Sequence, residues 1–162
     1  MNNALTKIWC KIFLSTSMAF VMLTLGSIAK AEGQPQPQLP SIQLDVSGVP
    51  LEAELASTEI QRYMGLSFRK ALAENSGMLF VYPSERPLTF TMRNTLIPLS
   101  IAFISAIPGT SDLVINEIQL MNVGPNQLFP SKQPAQFALE VNQGWFAANK
   151  IKPGDVIKRR WP

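Results

Sequence analysis

The stretch from Gly77 to Ile104, GMLFVYPSERPLTFTMRNTLIPLSIAFI, constrains the fold more than any other part of the chain. Met78 to Tyr82 is an uninterrupted apolar run, as expected of a strand covered on both faces. Two prolines in Pro83-Ser84-Glu85-Arg86-Pro87 predict a short exposed loop that ends this strand. Strict alternation follows: Leu88, Phe90 and Met92 point one way, and Thr89, Thr91 and Arg93 the other. That is the period of a half-buried strand. Leu99, Ile101 and Phe103 mark a third strand, reached through Asn94-Thr95-Leu96-Ile97-Pro98, where Asn94 suits a turn and Pro98 keeps Ile97 extended. Three strands joined by two hairpin-length links predict an antiparallel meander.

Residues 1–31 read as a signal peptide. Lys7 and Lys11 supply the positive end, Ile12 to Ile28 is largely apolar, and Ala29-Lys30-Ala31 is a small-x-small cleavage site. The expected location is periplasmic or extracellular after cleavage near Ala31, with membrane attachment only if the leader is retained. Residues 32–40 form a Pro/Gln-rich spacer with almost nothing to bury, expected to be extended and disordered. The leader holds three of the fourteen basic residues, which leaves eleven against eleven acidic ones. The bulk charge therefore carries no nucleic-acid footprint, and Lys158-Arg159-Arg160 reads as a solvated chain end. Without the leader the chain has neither Cys nor His. Disulfides, thiolate nucleophiles, His-based triads and His or Cys zinc sites are excluded, and no cofactor or metal is expected.

Residues 41–160 read as a single domain. Ile42, Leu44 and Val46, then Leu51, Ala53 and Leu55, alternate with polar residues about Gly48 and predict a hairpin. Ser57 to Leu66 predicts a helix capped by Thr58 with Gln61 three residues on, buried through Ile60, Tyr63 and Met64. Glu59 and Arg62 are spaced to pair on its surface. In Asp112 to Met121, Leu113 and Ile115 share one parity and Ile118 and Leu120 the other, which predicts a β-bulge at Asn116-Glu117. A long polar loop over 122–134, a strand about Phe137, Leu139 and Val141, a helical turn at Gly144 to Asn149 and a last strand from Val156 complete the pattern. The fold class is mainly β: a compact antiparallel β-sandwich or barrel with two or three short helices.

These residues resemble the family called "domain of unknown function 192" from about Ile42 to Lys158. The carrying residues are Thr58-Glu59, Arg62, Gly65-Leu66, Arg69, Gly77 to Phe80, Met92 to Thr95, Ile97 to Leu99, Leu139 to Asn142, Gly144-Trp145 and Ile151 to Asp155. The resemblance implies a compact, often exported β-domain and no established reaction. The family commonly has tryptophan, lysine and aspartate where this chain has Thr91, Arg93 and Ser100.

Three functions compete. The first is binding of a small polar or anionic envelope ligand by Arg93, Asn94, Thr95, Glu140 and Asn142. Arg offers a planar fork for carboxylate or phosphate, and Asn offers both donor and acceptor. Against it stands a scaffold role, with Arg93 buried against Glu140. The second is an accessory domain docking an envelope protein through Phe129 or Trp161. The third is a hydrolase with carboxylates drawn from Glu59, Glu117 and Glu140, whose spacing shows no convergence.

Overall fold

The computed structural model describes residues 33–124 and 127–160; the predicted signal peptide and Trp161 lie outside them. Nine strands and two helices form among the described residues: β1 (Ser41–Val46), β2 (Val49–Ala56), α1 (Glu59–Met64), β3 (Ser76–Arg86), β4 (Thr89–Thr91), β5 (Leu99–Ala106), β6 (Leu113–Met121), β7 (Leu128–Pro130), β8 (Ala135–Asn142), α2 (Trp145–Ala148) and β9 (Val156–Arg160). Seven of the strands close into a barrel in the order β1-β2-β3-β8-β5-β6-β9, and β4 and β7 form a separate two-stranded sheet.

The period-two pattern explains why the chain builds two apolar layers. One parity of the barrel strands fills the interior: Leu44, Leu51, Leu79, Leu139, Ala102, Ile115 and Ile157, one from each strand, belong to a single cluster. Trp145 and Phe146 of α2 join this cluster. The opposite parity of β3, β5 and β8 is apolar too, and Met78, Phe80, Ile101, Phe103 and Ala138 form a second cluster with Leu88, Phe90 and Met92. The β4–β7 ribbon thus covers the outer face of those strands. Phe90 anchors it, its ring 4.9 Å from Phe80 and 5.8 Å from Phe103, both edge-on. Each such pair contributes about 1 kcal/mol beyond area burial.

The strands of the central stretch are as expected, but their pairing is not. The predicted meander does not form: β8 lies between β3 and β5, and β4 leaves the barrel to pair with β7. Sequence neighbours lost to β8 because its alternating Phe137, Leu139 and Val141 complete the interior, whereas three-residue β4 has one buried side chain to offer. Pro83 does not end β3 either. The strand runs to Arg86 and absorbs the proline in an irregular stretch between Val81 and Arg86. The basic cluster at 158–160 lies within β9, which closes the barrel against β1 and β6.

The bulge in β6 is present. Phe103 faces Glu117 and Ile104 faces Ile115, so Asn116 is the extra residue. It returns Ile118 to the interior layer but leaves Leu120 exposed near the end of the strand. Helix α1 has the predicted capping box: the Thr58 hydroxyl accepts from Gln61 N and the Gln61 side chain accepts from Thr58 N. Its apolar stripe is not buried. Ile60 is 76% and Tyr63 67% exposed; the six-residue helix buries none of its own residues, and the buried Gly65 and Leu66 that follow it seat its end on the domain. Gly65 is required there: its φ is +48°, and an added Cβ would meet the Phe80 ring at 3.3 Å. Residues 33–40 of the spacer form no helix or strand and are tied to the domain by hydrogen bonds. Gln36 Nε2 donates to the carbonyls of Gln61 and Gly65 at 3.1 and 2.8 Å, and Leu39 N–H donates to Glu54 Oε2 at 2.9 Å.

Candidate functional site

Connection 57–75 links β2 to β3, a parallel pair, so it must cross over the outside of the barrel. It carries α1 past the polar face of β4. Between them opens a cavity of about 220 Å³. Arg62, Tyr63, Gly65 and Ser67 come from the crossover, Thr89, Thr91, Arg93 and Thr95 from β4 and the turn after it, Phe80 and Tyr82 from β3, and Glu140 from β8. A second cavity of about 540 Å³ shares Arg62, Tyr63, Tyr82 and Thr89 with the first and adds Glu59 and Arg86.

Glu140 forms the floor. It sits between Met78 of β3 and Ile101 of β5, on the outward parity, and is only 4% exposed. Among the described residues its carboxyl makes no hydrogen bond and no ion pair. Burial pushes this carboxyl up to about 8, so it is neutral at pH 7. Tyr82 is also raised, first by burial, with the nearby Arg62 acting against the rise and Glu140 adding to it.

The cationic groups lie nearer the surface. Arg62 is half-buried, with Nη1 donating to Ser57 O and, at 2.8 Å, to Val81 O, and its guanidinium lies 4.9 Å over the Tyr82 ring. Arg93 is exposed and lies 4.6 Å over the Tyr63 ring. Stacking of this kind contributes about 0.5–1 kcal/mol and, more usefully, orients the donor fork. A polar mouth with two oriented guanidinium groups thus leads to an apolar, carboxyl-ended floor.

The structure brings together Arg93, Thr95 and Glu140 of the sequence-derived set, and Arg62 from the expected surface pair. Arg62 does not pair with Glu59 but bonds backbone carbonyls, and Arg93 is not buried against Glu140. Asn94 and Asn142 do not line this cavity. Asn94 takes φ +59° in the turn closed by Thr95 N to Met92 O, and its carbonyl accepts from Phe68 N at 2.7 Å. Asn142 Nδ2 donates to Leu72 O and Ala73 O, clamping the end of the crossover. Ser100 Oγ accepts from Gly144 N at 2.9 Å and so supports α2. Phe129 is partly buried against the outer cluster. Tyr63 and Tyr82 escaped sequence reasoning because both were counted as apolar packing residues; an Arg–Tyr neighbour pair on a short helix was the available signal.

The three candidate carboxylates do not converge. Glu59 lines the second cavity, and Glu117 accepts from Lys132 N at 2.6 Å. Among the described residues no three metal-ligating side chains form a group, and no helix is long and apolar enough to cross a membrane.

Comparison with known proteins places the geometry in context. The family model DUF192, described as "Uncharacterized ACR, COG1430", matches residues 42–159. A crystal structure of a "putative transcription regulator" from Sinorhizobium meliloti 1021 is 29% identical with a TM-score of 0.70, over 76% of this chain and 97% of that one. A crystal structure of a protein of unknown function from Novosphingobium aromaticivorans DSM 12444 is also 29% identical, with a TM-score of 0.62, over 78% of this chain and 91% of that one. No curated protein matches.

Proposed function

The chain belongs to the DUF192 family, and within it we propose that this domain binds a small polar ligand bearing an anionic group. One observation carries the reading: Glu140, a buried carboxyl without a partner among the described residues, faces a cavity whose mouth holds two oriented arginines. A buried polar group normally finds a partner within the protein, and a carboxyl left bare costs stability that a binding role explains. Arg62 and Arg93 attract and orient the anion, while Glu140 engages a second polar group at the floor. The leader sequence supports a ligand of the cell envelope.

Thermal shift of the purified protein against small carboxylates, phosphates, sugars and peptidoglycan fragments tests this. A ligand at a hundred times its Kd stabilises by about 2.7 kcal/mol. A compound that shifts the wild type but not a folded Arg93→Ala supports the reading. A panel without response, or equal shifts in both proteins, sinks it.

A second reading, docking of an envelope protein, draws on Leu96, Val123 and Leu128. They are more than half exposed and line a shallow, mostly apolar groove. If this groove is the working surface, Leu128→Asp abolishes partner recovery and leaves the ligand shifts unchanged.

A further inference from the structure

We propose that the cavity takes a small zwitterion, its carboxylate meeting Arg62 and Arg93 at the mouth and its protonated amine meeting Glu140 at the floor. This rests on the reading of the cavity as a binding site and names the class of ligand.

The argument starts from where charge is placed and where it is not paired. The cavity contains groups of both signs, yet among the described residues no ion pair joins two groups that line it; the pairs of Arg69 with Glu54 and of Lys132 with Glu117 lie elsewhere. Arg62 commits Nη1 to backbone carbonyls and has no protein partner for its remaining N–H groups among the described residues. A ligand carboxylate suits such a fork. The floor is the informative end. If its task were only to donate or accept a neutral hydrogen bond, a hydroxyl would serve, and Thr95 already lines the cavity. What a carboxyl adds is the ability to become negative when a cation arrives, and a buried charge is tolerated once it is paired. A ligand with an anionic and a cationic end satisfies both ends of the cavity and brings no net charge into it. The volume of about 220 Å³ suits a small molecule such as a single amino acid.

A consequence is proton release. Near pH 7 the bare Glu140 carboxyl holds its proton. When an ammonium group docks, the O–H bond breaks, the proton passes to buffer, and carboxylate and ammonium pair. The other titratable or charged groups around the cavity are Tyr82 on β3, Arg62 and Tyr63 on α1, and Arg93 after β4; Met78 and Ile101, which flank Glu140 in the sheet, carry no charge.

The test is isothermal titration calorimetry at pH 7 in two buffers of different ionisation heat. The probes are L- and D-alanine and the straight-chain amino acids from glycine to 6-aminohexanoate, with propionate and ethylamine as one-ended controls. We expect one amino acid to bind at least about tenfold more tightly than either control. Close to one proton is released per molecule bound. Glu140→Gln removes the release and brings amino acid and deaminated acid to within about twofold. The chain length that binds best measures the span from mouth to floor. If propionate binds as well as the amino acids and no proton is released, the zwitterion is overturned while anion binding stands. If no amino acid binds but another anion shifts the melting temperature through Arg93, the zwitterion again falls alone. If neither experiment finds a ligand, both readings fall. Proton release in the wild type needs no variant, so a misfolded Glu140→Gln would not rescue the proposal.

Discussion

Glu54 and Glu140 lie in one row of the barrel wall. Both face Met78, Glu54 from β2 and Glu140 from β8, and all three point outward. At ordinary strand spacing their backbones are about 10 Å apart. Both side chains are buried, but they are served differently. Glu54 accepts from Arg69 Nη1 and Nη2 at 2.8 Å each and from Leu39 N at 2.9 Å, whereas among the described residues Glu140 has no donor. The fold is therefore able to bring an arginine and a backbone N–H to a buried carboxylate two strands away. Glu117, a third buried glutamate, is half served: Oε1 accepts from Lys132 N at 2.6 Å, while Oε2 makes no hydrogen bond and lies 3.9 Å from Lys132 Nζ. The Arg69 pair ties Glu54 to the scaffold, whereas on the proposed function the free carboxyl of Glu140 is met by a ligand.

The comparison is broken most directly at Arg69. Arg69→Met leaves Glu54 buried beside an apolar side chain and is expected to cost about 3 kcal/mol or more in urea denaturation. Glu140→Leu should cost nothing or stabilise, since no partner among the described residues is abandoned; equal losses at the two sites would end the distinction. The next effect is in pH. Glu140 holds its proton in the folded protein up to about pH 8 and releases it near its ordinary 4.5 when unfolded. Its contribution to stability is thus complete below about pH 4.5 and is lost as pH rises towards 8. The slope between those limits approaches about 1.4 kcal/mol per pH unit. Urea midpoints across this window should fall in the wild type and stay flatter in Glu140→Gln. Gly77 sharpens the contrast geometrically: an added Cβ would lie 2.6 Å from the Glu140 carbonyl oxygen. Gly77→Ala must therefore push β8 away and should cost about 1–3 kcal/mol, with a disturbed titration of Glu140 by NMR. The smallest effect belongs to Arg93. Arg93→Ala, at an exposed position, should alter stability by about 0.5 kcal/mol or less and show itself only in ligand binding.

Much of this was legible in the residues. Alternation at Leu88 to Arg93 assigned each side chain its face, the parity change at Asn116 marked the bulge, and Thr58 with Gln61 marked the helix start. Arg93, Thr95 and Glu140 stood out as unusual residue types beside strands. Partnership was not legible. Which strand lies beside which depends on how seven apolar stripes close on one another, and nothing local distinguishes a β3–β5 neighbour from a β3–β8 neighbour. Nor did the periodicity of α1 reveal that Ile60 and Tyr63 face outward, because a helix of six residues does not need a buried stripe once its end is pinned by Gly65 and Leu66. Arg62 was read as half of a surface ion pair for the same reason: spacing shows who is able to meet, and backbone carbonyls are invisible in it.

The parallel pairing of β2 with β3 has a consequence for how such a domain diversifies. It obliges residues 57–75 to travel outside the barrel, and that excursion, with the segment from Thr89 to Thr95, supplies most of the cavity walls. The floor alone is woven into the wall of the barrel. Walls and floor are thereby separable units of change. Lengthening or recoding the excursion reshapes the cavity walls, while the carboxyl below stays fixed in the barrel strand. Loop libraries grafted between Ala56 and Ser76 would be the direct way to recruit this barrel to new molecules.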